Sequence, residues 1–117
     1  MNKQLSDNYK EKLKQVTMPG VNEQAWDYET LMAFLSDDES NLFAILGGDV
    51  LIQDSQQEMS YTYDNWGADS RKIGESFSDY SKRCKQLTID YLNKYPVKKE
   101  NLFILVMTSE VTAGMNK

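Results

Sequence analysis

Residues 42–66, LFAILGGDVLIQDSQQEMSYTYDNW, combine the densest apolar run ahead of the C-terminal end of the chain with its strongest turn signals. Leu42 to Leu46 are apolar without alternation, as in a central strand covered on both faces. Gly47-Gly48 then admits two readings. It is either a structural two-residue hairpin turn, with both glycines at positive φ, or a bulge that bends one strand through to Ile52. From Met59 the pattern alternates: Met59, Tyr61, Tyr63 and Asn65 face one way, while Ser60, Thr62, Asp64 and Trp66 face the other. The polar loop Asp54–Glu58 joins this half-buried strand to Val50–Gln53 as an antiparallel hairpin.

Working outward, Leu5, Tyr9, Leu13 and Val16 fall at helical spacing and predict a peripheral N-terminal helix over residues 5–16, ended by Met18-Pro19-Gly20. Asn22 reads as the N-cap of a second helix over 23–36 that gathers Tyr28, Leu31, Phe34 and Leu35. The acidic run Asp37-Asp38-Glu39 reads as a loop. Ser76-x-x-Asp79 has the form of a capping box, and Phe77, Tyr80, Cys84, Leu87, Tyr91 and Tyr95 continue as an apolar stripe until Pro96. Leu102 to Met107 is a second central strand. It runs parallel to the Met59 strand if the two share a sheet. Thr108 onward reads as a frayed tail. The expected fold is α+β: a small mixed sheet of three to four strands packed by two to three helices, in one domain spanning residues 1–117.

The 117 residues suffice for one hydrophobic core. A net charge of −5 argues against a nucleic-acid surface and favours a basic partner. The lone Cys84 forms no internal disulfide and suits a reducing compartment. No window is apolar enough for a membrane span and no secretory leader opens the sequence, so the expected location is cytoplasmic. Oligomeric state is not legible. With no histidine in the chain, Ser-His-Asp and Cys-His nucleophile systems are excluded, along with histidine-containing zinc sites. No cofactor or metal is called for.

Three features could carry function. Gly47-Gly48-Asp49 is a weak phosphate-loop match, because a strand follows it where such a loop needs a helix N-terminus. Asp49 and Asp64 could serve a carboxylate- or metal-dependent hydrolase if they converge in a pocket. A regulatory domain binding a small ligand beside Gly47-Gly48 would instead need an apolar cavity there. Tyr61, Tyr63 and Trp66, with Asp64 and Asn65 between them, suit a protein-binding patch, and the face that holds Trp66 and Asp64 is the one expected to matter.

FAILGGDVLI, followed by YTYDNW and then a long amphipathic helix and an apolar strand, resembles the immunity protein 40 family of bacterial polymorphic toxin systems. The resemblance covers about Ala25 to Val106 and rests on Gly47, Gly48, Asp49, Val50, Tyr63, Asp64, Asn65 and Trp66. It implies a cytoplasmic, non-enzymatic α+β protein that binds and blocks a cognate toxin domain, a basic one if charge guides the pairing. The candidate partner-binding residues are Asp49, Tyr61, Tyr63, Asp64, Asn65 and Trp66.

Overall fold

A computed structural model describes residues 5–110. Among the described residues the order is α1 (Asp7–Lys10), β1 (Lys14–Gln15), β2 (Gln24–Asp27), α2 (Tyr28–Leu35), a 3-10 turn (Asp38–Leu42), β3 (Phe43–Gln53), β4 (Met59–Gly67), α3 (Phe77–Lys94) and β5 (Asn101–Ser109). The class is α+β, as expected. The sheet has five strands in the order β1-β2-β5-β3-β4, and every hydrogen-bonded neighbour is antiparallel, where a mixed sheet of three to four strands was expected. The strands β4 and β5 do run in the same direction. They flank β3 on opposite sides, so no parallel ladder forms between them.

The extra strands come from the N-terminal half, where the helical readings fail. Tyr9 packs on Phe34 and Trp26 at ring distances of 5.1 and 6.1 Å, whereas Val16 joins Ala25 and Leu51 in a second cluster. No single helix face serves both sides of a sheet, and α1 is cut to one turn. Likewise the helix expected over 23–36 begins only at Tyr28. Ala25 and Trp26 are adjacent and both buried, in different clusters, which suits a strand covered on both faces. The true N-cap is Asp27, whose carboxylate accepts from the Thr30 amide at 2.7 Å.

The acidic run at 37–39 is a latch. The Asp37 carboxylate accepts the Tyr9 hydroxyl at 2.5 Å and the Glu39 amide at 3.3 Å, while Glu39 accepts both the amide and the hydroxyl of Ser6 at 2.7 Å. The hydroxyl's commitment to Asp37, reinforced by burial, pushes the Tyr9 phenol up to about 12. These acids hold α1 onto the body.

Gly47 and Gly48 lie inside β3, so the hairpin-turn reading is overturned in favour of a bulge. Ile45 pairs Met107 and Gly47 pairs Val106, leaving Leu46 as the extra residue. Neither glycine has positive φ; among described glycines only Gly20 and Gly74 do. Their reason is space. A Cβ on Gly47 would sit 2.3 Å from the Trp66 carbonyl oxygen, and one on Gly48 would sit 2.4 Å from the indole and 2.6 Å from the Ile104 carbonyl oxygen.

The indole is thereby pressed toward α3. Its Nε1–H donates to Thr88 Oγ1 at 2.9 Å, its ring stacks on Tyr91 at 4.9 Å, and Tyr91 stacks on Tyr95 at 5.6 Å. The capping box forms as expected, with Ser76 Oγ accepting from the Asp79 amide at 3.1 Å. Two groups satisfy the part of β3 that β4 leaves unpaired: from α3 the Ser81 hydroxyl donates to the Phe43 carbonyl, and just past the end of β4 the Ala68 amide donates to the Leu46 carbonyl at 2.9 Å. Glu75 and Arg83 form a two-bonded pair, Nε to Oε2 at 3.0 Å and Nη2 to Oε1 at 2.9 Å, which ties the connection before α3 to the helix. The bond from Arg83 is the main reason the Glu75 carboxyl titrates at about 2. Thr108 and Ser109, expected to begin a frayed tail, finish β5, and Ser109 is buried; the remainder of that expectation, 111–117, lies outside the described residues.

Substitutions at the glycines and at Glu75 test these contacts. Gly48→Ala lowers stability in urea denaturation by about 1–3 kcal/mol through overpacking, whereas Gly67→Ala, whose Cβ would meet nothing closer than 3.7 Å, stays within about 0.5 kcal/mol of the parent. The Glu75 carboxyl is held below its ordinary value of 4.5, so it stabilises the fold above that pH and loses the contribution as pH falls toward 2. The stability gap between the parent and Glu75→Gln is therefore largest near neutrality and closes in acid, as urea titrations at pH 7, 4 and 2 should read.

Candidate partner-binding face

Residues directly opposed across antiparallel strands share a face, so the register sorts the sheet into two sides. One side carries Trp26, Ile45, Val50, Trp66, Phe103 and Leu105 and is covered by α2 and α3. The other carries Ala25, Leu51, Met59, Leu102 and Ile104. Val16, Met18 and Val21 pack over that cluster, and Thr17 Oγ1 accepts the Met59 amide at 2.9 Å where the segment reaches β4. The cover stops there. Beyond it the pairs Gly47–Val106, Asp49–Ile104, Asp49–Asn65 and Leu51–Tyr61 place Val106, Asp49, Asn65 and Tyr61 on the uncovered half of the same face. Val106 is 51% exposed because the residue opposite it is a glycine. A groove of about 300 Å³ runs along Gly47, Asp49, Asn65 and Val106.

A second bulge shapes the edge of this face. Between Asp49–Asn65 and Leu51–Tyr61, β3 advances by two residues and β4 by four, so Thr62, Tyr63 and Asp64 stand opposite Val50. Thr62 Oγ1 donates to the Val50 carbonyl at 2.8 Å and accepts the Asp64 amide at 3.1 Å. Tyr63 takes a left-handed backbone with φ of 70°, an unusual choice for a bulky residue, and its side chain is 86% exposed. Its ring lies 6.3 Å from that of Tyr61.

The six candidate residues therefore divide. Asp49, Tyr61, Tyr63 and Asn65 gather on or beside the uncovered half-face. Trp66 and Asp64 do not. Trp66 is buried under α3, and Asp64 Oδ2 accepts the Tyr95 hydroxyl at 2.7 Å on the helical side. The face of Trp66 and Asp64, expected to matter, is the core face. The bulge breaks the alternation that grouped these residues, and the signal at Gly47, a glycine facing Val106, was hidden within an apolar run.

The hydrolase reading fails on the same geometry, since Asp49 and Asp64 lie on opposite sides of the sheet. Among the described residues no three His, Cys, Asp or Glu side chains are grouped to hold a metal. The Cys84 thiol is buried beside Tyr80 and pushed up by that burial, the reverse of activation. Beside Gly47-Gly48 there is an open groove with Asp49 and Asn65 in its wall, not an apolar cavity. A larger cleft of about 620 Å³ lies at the far end of α3, lined by Asp27, Glu29, Tyr95, Lys98 and Lys99 among others, with both signs of charge. No helix among the described residues is long and apolar enough to cross a membrane.

A model of the family described as Immunity protein 40 matches residues 12–108, which takes in both longer helices and all five strands but for Ser109 at the end of β5. No curated protein and no solved structure matches the chain.

The strain at Tyr63 has a measurable sign. Tyr63→Gly raises stability in urea by up to about 1 kcal/mol, because the left-handed penalty of about 1–2 kcal/mol exceeds the entropic cost of glycine, about 0.5–1 kcal/mol. Tyr63→Val lowers it, since a β-branched residue fits that backbone less well.

Proposed function

The chain belongs to the immunity protein 40 family, and we propose that it acts as one cytoplasmic immunity domain that occludes a basic toxin domain with the uncovered half of its sheet. Family membership implies toxin neutralisation by binding, without catalysis. The observation that carries the choice of face is the contrast between the two sides of the sheet. One is sealed by α2 and α3; the other exposes Val106, Tyr61 and Tyr63 beside Asp49, whose carboxylate has no hydrogen-bond or ion-pair partner among the described residues. Aromatic anchors beside a polar rim are what protein interfaces use. The charge follows the same direction. Residues 42–66 contain Asp49, Asp54, Glu58 and Asp64 and no lysine or arginine, so the hairpin presents a negative field to an approaching partner.

Co-expression with the toxin domain encoded beside this chain tests the reading. The parent restores growth of a host making the toxin. Asp49→Arg abolishes the rescue, while Asp38→Arg, an equal charge change on an exposed residue of the 3-10 turn, preserves it. Equal death with and without the parent would remove the function, and equal rescue by both variants would remove the face.

A further inference from the structure

We infer that the bulge Thr62–Asn65 is a rigid mount that presents Tyr63 to a cationic side chain of the partner, with Asp64 and Tyr95 as positioning residues. The cation lies over the Tyr61 and Tyr63 rings within reach of the Asp49 carboxylate. This rests on the immunity reading above.

Four observations converge on the mount. First, Tyr63 holds a left-handed backbone although its side chain is 86% exposed and contributes almost nothing to the core. Strain kept where no packing repays it points to a use outside the fold. Second, the conformation is clamped from both neighbours. Thr62 bonds to Val50 and to the Asp64 amide, and Asn65 Nδ2 donates to the Tyr63 carbonyl at 3.3 Å. Third, the clamp is tied to the body of the protein. Asp64 accepts the Tyr95 hydroxyl, Tyr95 stacks on Tyr91 and Tyr91 on the buried Trp66, so a ladder of aromatic rings backs the bulge from behind the sheet. A side chain already held in its bound backbone geometry loses less entropy on association.

Fourth, the chemistry on offer selects the occupant. Two tyrosine rings 6.3 Å apart, one face-mate carboxylate without a partner among the described residues, and a hairpin with no basic residue together favour a guanidinium or ammonium group over an anion or a purely apolar segment. The bulge also interrupts the free edge of β4, which disfavours a partner that would add a strand there. Docking by side chains is the arrangement that remains.

The experiment measures affinity of the full chain for the purified toxin domain encoded beside it, by titration calorimetry at two salt concentrations, with urea stability of every variant in parallel. Tyr63→Gly and Tyr63→Ala each bind at least about 30-fold more weakly, a hot-spot loss, while Tyr63→Gly is the more stable protein; a structural role would move both quantities together. Tyr63→Phe keeps the ring and stays within about threefold. Tyr95→Phe weakens binding by about 5-fold, and Asp64→Asn, which keeps an acceptor for Tyr95, does not. Asp49→Asn removes part of the salt dependence. If the parent binds and the Tyr63 variants bind equally well, the mount is overturned while the immunity reading stands. If the parent does not bind, both fall. If Tyr63→Ala instead dissolves a dimer of the chain alone, seen by light scattering, the face joins copies and the inference is overturned.

Discussion

The close approach of Trp66 to Gly47 and Gly48 is the constraint on which the rest of the molecule depends. A side chain at either glycine would overlap the Trp66 backbone or its indole. Without one, the indole lies flat enough against β3 to reach Thr88 and Tyr91, and α3 docks on the sheet through that contact. An aromatic group of this size dominates the burial around it, and its N–H requires a partner once water is excluded. Thr88 is that partner, which explains a fully buried hydroxyl in the middle of a largely apolar helix stripe. Gly47, the neighbour that faces away from the indole, leaves Val106 uncovered on the other face. The adjacent glycines therefore serve opposite sides of the sheet, Gly48 admitting the indole on one and Gly47 leaving the other open.

Elements with strong, unambiguous periodicity were legible in the sequence. The capping box at Ser76, the long stripe from Phe77, the stop at Pro96 and the apolar runs at Leu42 and Leu102 all give elements close to those observed. The N-terminal third was not legible, for a physical reason. In a short strand buried on both faces, adjacent residues such as Ala25 and Trp26 are apolar together, and a window that also contains Leu31 and Phe34 fits a helical period equally well. Tertiary contacts decided the matter when Tyr9 and Val16 went to opposite sides of the sheet.

The candidate site was legible in composition and not in geometry. Asp49, Tyr61, Tyr63 and Asn65 were named, but so were Asp64 and Trp66, which turn out to anchor the hairpin to α3. A bulge changes which residues share a face, and nothing in YTYDNW announces a left-handed tyrosine. Acid count was a poor guide as well. Asp37 and Glu39 fasten α1, Asp27 and Asp54 serve as cap and turn, and Glu75 holds Arg83, so these acids are committed to donors within the fold. Asp49 stands apart from these. It lies on an otherwise neutral half-face beside two exposed tyrosines, and on the function proposed above that is where the chain's charge would meet a partner.

On the proposed function, a toxin covers the half of the sheet left open beyond residues 16–21. Amide hydrogen exchange of the chain alone and in complex with its toxin measures that footprint directly. The complex is expected to show new protection along Tyr61–Asn65 at the outer strand, with the amides of α2 and of the 3-10 turn at Asp38–Leu42 exchanging as they do in the free chain. Protection gained across α2 and that acidic turn, with Tyr61–Asn65 unchanged, would contradict that footprint.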